Sequence, residues 1–304
     1  MTRATVFAPG SIGNVGPGFD ILGLAVDDIG DTVTLELIDG HDTIIEVRGR
    51  DASLVPTDPA QSVVNIAAHA MLRLLGRDQG IAVSIEKGLP VAGGLGGSAA
   101  SSVAGAYAAG VALGVEPAPV LTIEAALAGE MHASGRHLDN IAPITMGGLV
   151  LSRIAQPIDV IKLPILDDWH IALVTPHVRV ETKAARAILP MEWARGEWIT
   201  QMANVAAMVH AFATGDGALL RRALDDRYAE PRRASLIPHF YEVKQAALDA
   251  GAFGCSISGS GPTVFAITSK DDVSRIAAVM QEAFDEVATN VHVAPIAQQG
   301  VRRV

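Results

Sequence analysis

Four groups of residues in this 304-residue sequence have types and spacings that suit chemistry. Gly93, Gly94, Gly96 and Gly97 interrupt the stretch Pro90–Gly114, and Ser98 follows them at the head of an Ala, Ser and Val run with helical character. Glycines allow left-handed or very close backbone. A loop of them emptying into a helix N-terminus offers unpaired N–H groups and the positive end of a dipole, a place for phosphate. Glu130-Met131-His132-Ala133-Ser134-Gly135-Arg136-His137-Leu138-Asp139-Asn140 is dense in polar groups. One carboxylate such as Glu130, with Ser98 and phosphate oxygens, is enough for Mg²⁺, which takes few protein ligands and keeps several waters. Asn14 and Asp20 lie in a glycine-punctuated loop beside Phe19. Such residues suit turns in their own right, yet a pinned Asp also accepts well from a substrate ammonium. Thr182 and Arg186, four apart, share a helix face, and Arg232-Arg233 follow Ala229-Glu230-Pro231. Exposed arginines commonly face solvent, but a planar guanidinium also binds a carboxylate bidentately.

Other readings of these groups fit less well. Val91–Val115 is uncharged, but its glycines and serines dilute it and neither flank is strongly basic, so no membrane span is expected. Gly94–Ala99 meets the loose dinucleotide pattern, although the preceding strand ends too early for it. No Lys-Ser/Thr follows the glycines, which excludes a P-loop, and the resemblance to a nucleophile elbow is faint. His132 and His137 are five apart and would not share a helix face as a zinc pair does.

The elements that must position these groups follow from pattern. Thr5–Ala8 reads as a short strand broken by Pro9-Gly10, and residues 11–20 as irregular. Asp31–Ile38 and Thr43–Arg48 alternate as antiparallel strands about a turn at Asp39-Gly40. Ile81, Val83 and Ile85 mark another strand, followed by a charged turn at Glu86-Lys87-Gly88. Helical spacing covers Asn65–Leu75, the run after Ser98, Val120–Ala133, Glu181–Ile188, most of 196–229 and Tyr241–Ala250. Strands are predicted at Gly147–Ile154, His170–Thr175, Gly254–Ser258, Thr263–Thr268 and Val291–Pro295, with a helix capped by Asp271 or Asp272 before the last. This mixture indicates an α+β fold in two domains, 1–164 and 165–304.

Composition agrees: 49% hydrophobic and 18% charged residues describe a globular chain, and a net charge of −10 argues against nucleic-acid partners. The single Cys255 excludes an internal disulfide, and the start MTRATVFAPGS lacks the apolar core of a secretory signal, so a cytoplasmic protein is expected.

Pro90-Val91-Ala92-Gly93-Gly94-Leu95-Gly96-Gly97-Ser98-Ala99-Ala100 resembles the second motif of the GHMP kinases, P-x-x-x-G-L-G-S-S-A, with Gly97 in place of its first serine. That change removes a hydroxyl but no backbone donor. Ala8 through Gly23, including Asn14 and Gly18-Phe19-Asp20, is similar to the first motif of the homoserine kinase branch. Glu130–Pro143 resembles its E-x-x-x-S-G-x-H-x-D-N-x-A-P stretch, and Gly251–Thr263, with Gly259-Ser260-Gly261-Pro262, resembles the third superfamily motif. Segments around Thr182, Arg186 and Arg233 match as well, while Arg232 fills a variable position. The resemblance implies an N-terminal domain like ribosomal protein S5 domain 2 and a ferredoxin-like C-terminal domain. It implies ATP on Pro90–Ala100, Mg²⁺ at Ser98 and Glu130, and L-homoserine against Asn14, Asp20, His137, Asn140, Thr182, Arg186, Arg233 and Gly259. Asn140, Ser98 and Glu130 would carry catalysis. Asn140 stands near where several relatives have a general-base Asp, so positioning and electrostatics would dominate, with Asp139 left open as a contributor. Another GHMP kinase, a silent regulator on that scaffold and a dinucleotide enzyme are the rival readings. A homodimer is one candidate assembly.

Overall fold

The computed structural model describes residues 2–166 and 168–304, and their strands form two sheets. In chain order the elements are β1 Arg3–Gly13, β2 Leu22–Ile38, β3 Thr43–Gly49, α1 Val63–Leu74, β4 Gly80–Lys87, α2 Gly97–Ala112, α3 Pro119–Ala133, α4 Ile141–Met146, β5 Leu149–Ala155 and β6 Ile158–Leu163. There follow β7 Trp169–Pro176, α5 Thr182–Ala187, α6 Arg195–Thr214, α7 Gly217–Ala223, α8 Glu230–Arg233, α9 Phe240–Asp249, β8 Gly254–Ile257, β9 Val264–Ser269, α10 Val273–Glu282, β10 Thr289–Pro295 and β11 Arg302-Arg303.

The first sheet runs β11-β1-β2-β4-β3, with β5 paired to β2 and β6 to β5. Its core lies under α1, α2 and α3. Every residue of α2 from Ala99 to Ala112 is buried, which its Ala and Gly content permits because small side chains let neighbouring backbones approach. A Cβ on Gly105 would sit 2.4 Å from the Val64 carbonyl of α1.

The second sheet has the order β10-β7-β9-β8, all antiparallel, the arrangement expected of a ferredoxin-like unit. Period-two alternation splits its side chains between two cores. Ala172, Val174, Val264 and Ala266 pack on one face with Phe240 and Val243 of α9 and Ile276 of α10. Trp169, Ile171, Leu173, Phe265 and Ile267 face the other way and join Met208 and Phe212 of α6 in the first core.

Three expectations need correction. Residues 43–49 do not pair with β2; they lie parallel to β4, which comes between them. Side-chain alternation identifies a strand but not its neighbour. The first two strands are longer than predicted, because β1 continues beyond Pro9-Gly10 through a shift of register and β2 begins at Leu22. The charged turn is no turn at Lys87: that residue ends β4, buried against Asp31. The helical region 196–229 divides at Gly215, a left-handed cap with φ 70°, and Asp216 caps the next helix by accepting from Leu219 N–H at 2.9 Å. Asp272 stands at the head of α10 as predicted, but its carboxylate bonds Ser269 and Arg275 side chains. No helix among the described residues is long and apolar enough to cross a membrane.

Candidate active site

The glycine loop enters α2 through Gly96, whose φ of 68° is left-handed and whose position has no side-chain cap. The first N–H groups of α2 therefore point out of the helix without a capping oxygen, as an anion site needs. Neighbouring segments fix the loop from behind. Ser258 Oγ donates to the Gly94 carbonyl and Thr263 Oγ1 to the Gly93 carbonyl, both at 2.6 Å. Ser11 N–H donates to the Leu95 carbonyl at 3.1 Å. Thus the first and third motifs both hold the second.

In front of the loop lies a cleft of about 480 Å³, within the range of small-molecule pockets. Asn14, Asp20, Ser98, Glu130, His137, Asn140, Thr182, Arg186, Arg233 and Gly259 all line it, with Val91–Gly94, Gly96 and Gly97. Pro90 is not among the lining residues, and the Leu95, Ala99 and Ala100 side chains are buried in the first core. Leu54, Val55, Val63, Val64 and Ile85 form an apolar wall that the sequence reading missed. Its one signal was Ser62, which caps α1.

At one end, Arg186 donates from Nη1 and Nη2 to the Asp20 carboxylate at 2.9 and 2.6 Å. His137 Nδ1 lies 3.4 Å from Arg186 Nη2, and burial followed by the Arg186 charge lowers its pKa, so a neutral imidazole accepts there. Arg233 is buried and donates only to backbone, to the Ala185 carbonyl at 3.1 Å and the Gly259 carbonyl at 2.8 Å. Among the described residues no carboxylate lies within salt-bridge distance of it. Burial and the charge of Arg186 lower its pKa. Both guanidiniums lie over the Phe19 ring, at 5.2 and 5.5 Å from its centroid, a contact no pattern argument had assigned. Asn14 ties the parts together, donating to the Gly259 carbonyl at 2.9 Å and accepting from Asp20 N–H at 3.0 Å.

Asn140 stands between this end and the loop. Ser11 Oγ donates to its Oδ1 at 2.8 Å and so fixes the amide. The space behind is tight: a Cβ on Gly96 would fall 2.2 Å from Ser11 Oγ, and one on Gly13 would fall 2.8 Å from Asn140 Nδ2. Asp139 is buried next to it, and burial, reinforced by Asp20 and Glu130, pushes its carboxyl up to about 7.

Glu130 closes the other side. Burial raises its pKa, while the hydroxyls of Ser134 and, less so, Ser98 act the other way. Ser134 donates to Oε1, but Oε2 is buried with no partner. An orphaned carboxylate oxygen beside a serine hydroxyl is a hard donor set that fits Mg²⁺. No group of three or more His, Cys, Asp or Glu that could hold a metal occurs among the described residues.

The chain is similar to known proteins over nearly its whole length. The family model described as GHMP kinases N terminal domain matches residues 62–148, and that described as GHMP kinases C terminal matches residues 208–286. The chain is 38% identical to the homoserine kinase of Chloroherpeton thalassium, over 99% of both chains. It is 41% identical to the homoserine kinase of Arabidopsis thaliana, over 92% of this chain and 78% of that one. The crystal structure of homoserine kinase from Cytophaga hutchinsonii superposes with a TM-score of 0.95 at 41% identity, covering 100% of this chain and 98% of that chain.

Proposed function

The chain belongs to the homoserine kinase family of the GHMP kinases, and from that premise we propose that it transfers the terminal phosphoryl group of ATP to the side-chain hydroxyl of L-homoserine, giving O-phospho-L-homoserine for threonine biosynthesis. The observation that carries the acceptor assignment is Arg233, a buried guanidinium with no carboxylate partner among the described residues. A buried cation in that state favours an anionic ligand, and the carboxylate of an amino acid supplies one. Asp20 takes the ammonium, Arg186 and Arg233 take the carboxylate, and both guanidiniums rest against the Phe19 ring. Thr182, His137 and the Gly259 carbonyl complete the polar wall.

ATP lies with its phosphates on Val91–Ser98 and its base against the apolar wall of Leu54, Val55, Val63 and Ile85. Ser98 and Glu130 would hold Mg²⁺, which supplies charge neutralisation on the phosphate oxygens. Asn140 orients the acceptor hydroxyl through its amide and takes no proton. Phosphoryl transfer tolerates this, because its loose transition state asks chiefly for alignment and electrostatic support. We divide the chain at Pro164, with β11 returning to the first sheet, and assign the reaction to the cytoplasm, where its nucleotide donor is abundant.

An ADP-release assay with Mg-ATP and either L-homoserine, mevalonate, shikimate or buffer tests the reading. Turnover with homoserine alone supports it. Turnover with another alcohol, or with none, overturns the acceptor assignment.

A further inference from the structure

Residues 195–203 of α6 are exposed except at Gln201, an unusual residue to bury on a helix whose neighbours Trp198, Ile199 and Met202 face solvent. A buried amide must find partners, and those of Gln201 lie in two distant segments. Its Nε2 donates to the Pro17 carbonyl and to Asp226 Oδ1, both at 2.8 Å, and its Oε1 accepts from Arg227 N–H at 2.8 Å. One turn on, Asn204 Nδ2 donates to the Asp225 carbonyl at 2.8 Å.

Asp226 is itself buried and extends the chain of bonds. It accepts from Tyr228 N–H at 2.8 Å, from Ala229 N–H at 3.1 and 3.2 Å, and from Glu230 N–H at 2.8 Å. The Ala229 and Glu230 N–H groups are orphan donors at the head of α8, whose last residue is Arg233. Pro17 lies two residues before Phe19, the ring under both guanidiniums, and three before Asp20.

We propose that Gln201 and Asp226 are positioning residues for the acceptor pocket, locking the loop that carries Phe19 and Asp20 to the segment that carries Arg233. Neither lines the cleft. They act by fixing the separation between the group that takes an ammonium and one that takes a carboxylate, and so select for the spacing of these two groups in an α-amino acid. This rests on the acceptor assignment made above.

Two measurements on the full-length protein test the bridge. Gln201→Met fills the volume without an N–H donor. We expect faster amide hydrogen exchange in both 14–20 and 226–233. We also expect a KM for homoserine raised about tenfold, with the KM for ATP and kcat nearly unchanged. Asp226→Asn keeps one acceptor oxygen and should stay closer to the parent KM than Asp226→Ala. Exchange that quickens only in 226–233, or KM values for both substrates that move together, overturns the proposal. If the parent enzyme turns over no homoserine, the acceptor assignment falls and the exchange pattern alone decides the bridge.

Discussion

Arg186 and Asp20 hold each other, two N–H groups on two carboxylate oxygens at 2.9 and 2.6 Å, although they are the groups assigned to opposite ends of a zwitterion. Binding an amino acid then exchanges one internal ion pair for two external ones. The pair is about one-third exposed, at 37% and 32%, so solvent screens it and its opening is inexpensive. Arg233, with no such partner, tips the balance toward the ligand. Asp20→Asn removes the negative charge that faces the ammonium and half of the Arg186 anchor. The KM for homoserine should rise about tenfold or more, with ATP little affected. Steady-state kinetics with each substrate varied will decide, and a parallel rise in both KM values would sink the assignment.

Arg233 offers a sharper separation of binding from folding. Its charge is already disfavoured by burial, and its bonds go to two carbonyls. Arg233→Leu forfeits those two bonds but relieves a buried cation, so the stability cost should be only about 1–2 kcal/mol. The homoserine KM should nevertheless climb by about a hundredfold. Thermal unfolding and kinetics on the same preparation check both halves.

The residues for this site were legible because their chemistry is local. Glycines at Gly93–Gly97, the Glu130–Asn140 cluster and the paired positions Thr182 and Arg186 declare themselves within a few residues. What joins them is non-local and was not legible. Ser11 looked like a turn residue until Asn140 came within 2.8 Å of it. Lys87 read as part of a charged turn because nothing in its neighbourhood announces Asp31, a strand away. The placement of residues 43–49 beside β4 depends on which edge the chain returns to, and alternation carries no such information. The apolar wall was hidden for a similar reason, since Leu54, Val63 and Ile85 come from three separate segments.

Glu130 should show a trade between stability and activity. Burial disfavours its ionised form and leaves Oε2 without a partner. Glu130→Gln removes that unfavourable charge, so the fold should be as stable as the parent or more so. As a metal ligand an amide is far poorer, and kcat should fall by about a hundredfold, with a higher Mg²⁺ concentration needed for half-maximal rate. Unchanged Mg²⁺ dependence would remove Glu130 from the metal site.

Beneath the glycine loop, Lys87 and Asp31 form a buried ion pair completed by Ser101, which donates to Asp31 at 2.7 Å. Asp31 Oδ1 also accepts from the N–H groups of Gly88 and Leu89, both at 3.2 Å. Removing one partner leaves the other charge buried alone, which costs about 3–5 kcal/mol. Asp31→Asn should therefore lower the urea midpoint strongly, whereas Asp31→Asn with Lys87→Met should recover part of the loss. A double variant no better than the single would show that the backbone bonds of Asp31, not its charge, matter most.

Asp139 sets a pH dependence whose sign is opposite to that of a salt-bridged carboxylate. Its carboxyl lies near 7 in the fold against 3.8 for an ordinary aspartate, because burial and the neighbouring Asp20 and Glu130 charges disfavour ionisation. Below pH about 4 the group is protonated whether folded or not and costs nothing. Between about 4 and 7 the unfolded chain has released the proton and the folded one has not, so stability falls as pH rises. Above 7 both are ionised and the penalty is constant, on the order of 4 kcal/mol. Asp139→Asn keeps an oxygen for the Asn14 N–H that Asp139 accepts and cannot ionise. Its stability advantage over the parent should therefore open between pH 4 and 7 and then level off. Urea unfolding of both proteins at pH 5, 6, 7 and 8 measures this directly. A difference that does not vary with pH would mean that Asp139 is already ionised in the folded state, stabilised by Arg186 more strongly than burial opposes it.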